Sequence, residues 1–163
     1  MDLSTKKVAI VTGASRGIGA AIAKRLSLDG FAVVVNYVGN REKAETVVQE
    51  IHAEGGDAIA VQGDVSKAQD VESLFDWAEK TYGGVDVLVN NAGIQTPKPI
   101  NIADTDEELY DKKFNINTRG TFFTLRQAAR RLRNGGRIVN FSTSAVGLAM
   151  PGYAIYAGAK SAV

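Results

Sequence analysis

The sequence predicts an α/β fold in which a doubly wound parallel sheet carries helices on both faces. Three observations predict it. Five short apolar runs alternate with segments of helical period along the 163 residues. The runs, such as KVAIVTG (7–13) and FAVVVNY (31–37), are close to continuously apolar, the pattern of strands buried on both faces. No repeat, low-complexity stretch or linker interrupts the alternation, so 1–163 reads as a single domain.

Each element has its own justification. The run 7–13 reads as the first strand. GIGAAIAKRLSLDG (17–30) reads as a helix, with Ile18, Ile22 and Leu26 spaced four apart and Gly30 closing it. The run 31–37 is the second strand, and 41–54 a polar-faced helix that ends before Gly55 and Gly56. DAIAVQGDV (57–65) is the third strand; Ser66 with Gln69 then has capping-box spacing for a helix. VDVLVNNAG (85–93) is the fourth strand, and IQTPKPINIAD (94–104) a loop broken by two prolines. Thr105 with Glu108 is a second capping box, opening a long helical region to about residue 133. GRIVNFSTS (136–144) is the fifth strand, and a last helix begins near Tyr153.

Composition narrows the chemistry. Lys and Arg number 19 against 18 Asp and Glu, a net charge of +1, which makes no electrostatic case for nucleic acid or a membrane surface as partner. There is no cysteine, hence no thiolate nucleophile, and the single histidine, His52, lies in a polar helical stretch and is expected to face solvent. No metal site is expected. The N-terminal stretch MDLSTKKVAIV is unlike a secretory signal and no apolar run is long enough to span a bilayer, so the expected location is cytoplasmic.

Ligands of such sheets sit at the carboxyl ends of the strands. After the first strand comes Thr12-Gly13-Ala14-Ser15-Arg16-Gly17-Ile18-Gly19. Its glycines permit a tight turn and close approach of a ligand, and the next helix aims its free N–H groups there, as a phosphate site requires. The bland alternative is glycine used for strand–helix packing. After the second strand, where a carboxylate would select NAD, stand Asn36 and Tyr37, with Arg41 close behind; residues 31–40 hold no Asp or Glu. With Arg16, Arg41 points to NADP(H), and NAD(H) is disfavoured; the alternative for Arg41 is a merely solvated side chain. After the third strand, Asp64 and Val65 suit a purine edge. After the fourth, Asn90, Asn91, Ala92 and Gly93 suit a ribose, although both groups also serve as ordinary turn residues.

After the fifth strand come Ser142, Thr143 and Ser144, then Tyr156-Ala-Gly-Ala-Lys160. A free tyrosine titrates near about 10, too high for acid–base work at neutral pH. A lysine four residues on, with the helix N-terminus, favours the phenolate and lowers that value. Tyr153 has Ala157 at the same spacing and lacks this partner.

Taken in order, these motifs resemble the short-chain dehydrogenase/reductase family, and the resemblance runs from Lys7 to the last residue. TGASRGIG is similar to its cofactor loop, NNAG (90–93) to its fourth-strand motif, and FNINTRGTF to the segment carrying its helix asparagine, here Asn117. STSAVG and YAGAK are similar to its serine, tyrosine and lysine segments. The likeness is to the reductases of oxoacyl groups and the sugar or polyol dehydrogenases. It implies a three-layer Rossmann fold and hydride transfer between NADP(H) and a small-molecule ketone or secondary alcohol.

The resemblance also implies roles. Tyr156 is the general acid or base, Lys160 lowers its pKa and holds the nicotinamide ribose, and Ser144 orients the carbonyl. Asn117 holds a water leading from Lys160. Gly13, Ser15, Arg16, Gly17, Ile18, Gly19, Asn36, Arg41, Asp64, Val65, Asn91, Ala92 and Gly93, with Tyr156 and Lys160, are expected to line the cofactor. Ser144 is preferred over Ser142 because it stands three before Gly147. Family members are longer, adding strands and a lid, so the chain is expected to be C-terminally incomplete, with the fifth strand at an unpaired edge and turnover impaired. Two other readings stand beside the enzyme: a nucleotide-binding module without turnover, and a subunit whose helical region 105–133 serves association. Full-length members are expected to form dimers or tetramers.

Overall fold

Val8–Val11 forms β1, and all four of its residues are buried. The computed structural model describes residues 6–163; residues 1–5, on which the reading of the N-terminal stretch partly rests, lie outside the described residues. The remaining strands are β2 (Ala32–Tyr37), β3 (Asp57–Gln62), β4 (Val85–Asn90) and β5 (Leu132–Asn140). All pairings are parallel and the order is β3-β2-β1-β4-β5. The helices are α1 (Gly17–Leu28), α2 (Arg41–Ala53), α3 (Ala68–Tyr82), α4 (Glu107–Phe114), α5 (Gly120–Arg131), α6 (Ala145–Leu148) and α7 (Ala154–Ser161).

The apolar runs are explained by two cores, one per face of the sheet. Successive strand residues point to opposite faces. Val8, Ile10, Ala32 and Val34 join Leu74, Phe75, Ala78 and Phe123 from α3 and α5. Val11, Val33 and Val35 join Ala20, Ala23, Val47, Val48 and Ile51 from α1 and α2. The predicted three-layer architecture is thus observed.

The chain works outward from β1 to β3, then crosses to β4 on the other side. The point where the direction reverses lies between the carboxyl ends of β1 and β4, where such sheets bind ligands.

Several boundaries differ from those expected. Ser66 does not cap α3. Its hydroxyl donates to Asp64 Oδ1 at 2.7 Å, and Lys67 is the N-cap. Thr105 does not cap α4 either: its hydroxyl donates to Asn101 O, while Asp106 Oδ1 accepts from Leu109 N at 2.7 Å. In both places a neighbouring Asp competes for the turn. The long helical region is split by a π-helical segment, Asn115–Arg119. β5 begins at Leu132, four residues earlier than expected, and ends at Asn140, with a register shift against Val85–Val87. It forms the sheet edge, where Ile138 and Val139 are 40% and 46% exposed. His52 is exposed as expected, with its ring Nε2 3.0 Å from Ala58 O. Among the described residues, no helix is long and apolar enough to cross a membrane and no metal-ligand cluster occurs.

Candidate active site

The loop leaving β1 is held open from behind. Thr12 Oγ1 accepts from Asn91 N at 3.1 Å and Ala92 N at 3.0 Å, and Asn91 Nδ2 donates to Thr12 O at 2.9 Å. These bonds fasten the ends of β1 and β4 together across the reversal point. Gly13 has φ +63°, and a Cβ there would lie 3.0 Å from Ala92 Cα. A Cβ at Gly19 would lie 2.5 Å from Asn91 Nδ2, so that position has no room for a side chain. Glycine at 13 is needed for the turn and at 19 for close approach.

The loop opens onto a cleft of about 720 Å³. Gly13, Ser15, Arg16, Gly17 and Ile18 line it from β1, Asp64 and Val65 from β3, and Asn91, Ala92 and Gly93 from β4. Ten of the expected cofactor residues are therefore brought together. The N-terminus of α1 faces this loop with no side-chain cap and no acidic residue in its first turn. Its free N–H groups suit an anion. The cradle of glycines and this uncapped end fit a dinucleotide's phosphates.

Two expected residues are placed differently. Asn36 is 1% exposed and its amide is consumed inside the fold. Oδ1 accepts from Gly13 N at 3.2 Å, and Nδ2 donates to Gly63 O at 2.9 Å. It shapes the loop from beneath instead of lining the cleft. Arg41 pairs with Glu45 at 3.4 Å, and its side chain is 79% exposed. The geometry favours the solvated alternative for it.

The cation that lines the cleft beside Arg16 is Lys43, with Tyr37, Val38, Gly39 and Asn40. Asn40 caps α2 by accepting from Lys43 N at 2.9 Å. A signal for Lys43 was present in the sequence. A lysine in the first turn opposes the helix dipole, and an anion at that end relieves the conflict.

Asn117, Tyr156 and Lys160 lie outside the cleft's lining, and Asn117 and Lys160 reach Gly93. The π-helical segment positions two of them. Asn117, fully buried, brackets Ile94: its Oδ1 accepts from Ile94 N at 2.8 Å and its Nδ2 donates to Ile94 O at 3.0 Å. Thr118 Oγ1 donates to Ala159 O at 2.7 Å, tying the same segment to α7. A Cβ on Gly93 would lie 3.1 Å from Asn117 Oδ1 and 3.4 Å from Lys160 Nζ. Gly93, Asn117 and Lys160 thus converge. A π-helical turn often marks a functional position.

Lys160 is 4% exposed; its Nζ donates to Phe141 O at 2.7 Å, and burial pushes its pKa down. Tyr156 is half-buried, one helical turn earlier on α7. Ser142 donates to Lys160 O at 3.0 Å, which commits its hydroxyl to holding α7. Ser144 is exposed at the N-terminus of α6, which packs on α7.

Known proteins share this fold. The family model described as short chain dehydrogenase matches residues 7–163. The chain is 46% identical over 158 residues to versicolorin reductase of Emericella nidulans, covering 96% of this chain and 59% of the relative. A short chain dehydrogenase of Claviceps purpurea is 45% identical over 158 residues with the same coverage. Among solved structures, a short chain dehydrogenase of Burkholderia cenocepacia in complex with NADP superposes with a TM-score of 0.90 at 40% identity. That match covers 99% of this chain and 65% of the other. A dehydrogenase/reductase from Sinorhizobium meliloti gives a TM-score of 0.91 at 40% identity, covering 98% and 64%. The chain therefore spans about three-fifths of the length of the curated relatives it matches. A matching family model over nearly every described residue, with relatives 45–46% identical and solved structures superposing at TM-scores of 0.90–0.91, places the chain in the short-chain dehydrogenase family of oxidoreductases.

Proposed function

We propose that the chain carries the cofactor half and the catalytic residues of an NADP(H)-dependent oxidoreductase acting on a small-molecule ketone or secondary alcohol. The observation that carries this reading is the convergence of Gly93, Asn117 and Lys160 beside a glycine-lined cleft. A bound nicotinamide cofactor supplies the hydride.

The chain's own groups do the rest. The N–H groups of α1 and the Gly13–Gly19 loop hold the phosphates. Arg16, with Lys43 in the place expected for Arg41, meets the additional phosphate of NADP(H). Ser144 donates to the carbonyl oxygen. Tyr156 gives that oxygen its proton in reduction and takes it back in oxidation. Lys160, buried where it meets Gly93, holds the nicotinamide ribose. Asn117 fixes the segment on which Lys160 and Gly93 meet. The apolar face on which Phe114, Phe122, Leu125 and Ala162 lie together suits association with a second copy, as expected for an oligomer.

A second reading is cofactor binding without turnover; the match spans 59% of the versicolorin reductase. Tyr156→Phe separates the two. The enzyme reading expects loss of carbonyl reduction with NADPH affinity unchanged; a wild-type chain that binds NADPH but reduces no ketone supports the second.

A further inference from the structure

The one Asn-Gly pair in the sequence, Asn134-Gly135, lies at the end of the sheet away from the cleft. It stands near the amino end of β5, whereas the cleft opens at the carboxyl ends of the strands. The ladder leaves it out: Val85 pairs with Leu132 and Val87 with Arg137, so residues 133–136 stand opposite Asp86 alone. Asn134 and Gly135 are both exposed. Gly135 has φ +81°, and a Cβ there would meet nothing within 4 Å. The base of the bulge is fixed: Arg133 Nη1 donates to Asp86 Oδ2 at 2.9 Å, and that oxygen also accepts from Val8 N at 2.8 Å.

A hydrogen bond that holds an asparagine side chain opposes its rotation onto its own backbone. Every other asparagine side chain except that of Asn115 is held by one, and Asn134 has none among the described residues. Asn115 is followed by Ile116, whose branched side chain shields the backbone nitrogen. Asn134 is followed by a glycine, which shields nothing. Arg137 adds a charge: its Nη1 donates to Gly135 O at 2.6 Å and to Gly136 O at 3.0 Å. A fixed cation this close favours an anionic Gly135 nitrogen.

We propose that Asn134-Gly135 is a self-modification site, at which the folded chain converts Asn134 to aspartate and isoaspartate. The deprotonated Gly135 nitrogen attacks Asn134 Cγ. The N–Cγ bond forms, the Cγ–Nδ2 bond breaks and ammonia leaves, closing a succinimide ring. Water then opens the ring at either carbonyl. Breaking the N–Cγ bond restores the ordinary peptide link beside an aspartate side chain. Breaking the bond to the backbone carbonyl of residue 134 leaves isoaspartate, with one extra carbon in the main chain. One water is consumed and one ammonia released, and nothing is oxidised or reduced. The bulge already stands outside the ladder, so it absorbs the extra carbon and the sheet persists.

The test is peptide mapping of the chain aged in warm, mildly alkaline buffer, once folded and once in urea. The chymotryptic peptide 133–141 holds Asn134 and Asn140. It is expected to gain about 1 Da at Asn134 and not at Asn140, as two products of equal mass that separate by chromatography. The folded chain should convert within about tenfold of the rate in urea, because an exposed bulge has little local stability to lose. Its circular dichroism should stay that of the fresh chain. Asn134→Gln would have to close a larger, slower ring, so it removes the mass gain. No gain at Asn134 in the folded chain overturns the proposal, as does protection well beyond tenfold relative to urea. A gain that persists in Asn134→Gln places the chemistry elsewhere and overturns it too. Loss of the circular dichroism on conversion would show that the bulge does not absorb the change.

Discussion

Asn117 grips the backbone of Ile94 at both of its polar groups, accepting from the N–H at 2.8 Å and donating to the carbonyl at 3.0 Å. One buried amide thereby locks the segment after β4 to the π-helical turn that also holds α7. Asn117→Ala strands both groups of Ile94. The expected loss is about 1–3 kcal/mol of unfolding free energy, read from urea titration. Unchanged stability would mean that the bracket is incidental.

Lys43 and Arg41 give opposite expectations although they are two residues apart. Lys43 lines the cleft; Arg41 pairs outward with Glu45. Lys43→Ala is expected to weaken NADPH roughly ten- to hundredfold, the scale of one hydrogen bond to a charged group, with little effect on NADH. Arg41→Ala should leave both affinities near wild type. Fluorescence titration reads the difference.

Gly19 has no room for a methyl group, because Asn91 Nδ2 and Gly13 O stand 2.5 and 2.7 Å from where it would lie. Gly19→Ala is expected to cost about 1–3 kcal/mol by overpacking and to weaken NADPH together with stability. The control, Gly39→Ala, meets no atom within 4 Å at its new Cβ and should change stability little.

These contrasts show what was legible in the sequence. The strand and helix alternation, the glycine loop and the Tyr156–Lys160 spacing depend on local pattern, and a chain reader sees local pattern. Asn36 and Arg41 were expected in the cleft because they follow the second strand. Sequence position did not reveal that Asn36 would be spent on Gly13 and Gly63, or that Glu45 would draw Arg41 outward. The π-helical turn at Asn115–Arg119 was invisible for the same reason: Asn117 and Thr118 bond partners 23 and 41 residues away. Two capping residues were misplaced because adjacent Asp side chains win the local competition.

Tyr82 ties pH to stability. Its hydroxyl donates to Asp57 Oδ1 at 2.9 Å, and burial, then that hydrogen bond, raise its pKa well above the usual tyrosine value. A group whose folded pKa is raised stabilises fully below its unfolded value, about 10, and loses that contribution as pH climbs above it. Tyr82→Phe should therefore destabilise by about 0.5–1.5 kcal/mol at pH 7. It should also shrink the stability loss between about pH 9 and pH 11, measured by urea unfolding across that range. An unchanged alkaline limb would assign the loss to other groups.

The most direct test of the cofactor site is a fluorescence titration of this chain with NADPH and NADH in parallel. The structure's glycine cradle, uncapped α1 and the pair Arg16 and Lys43 predict saturable binding of both, with NADPH the tighter. Binding of neither, or a preference for NADH, would contradict the account.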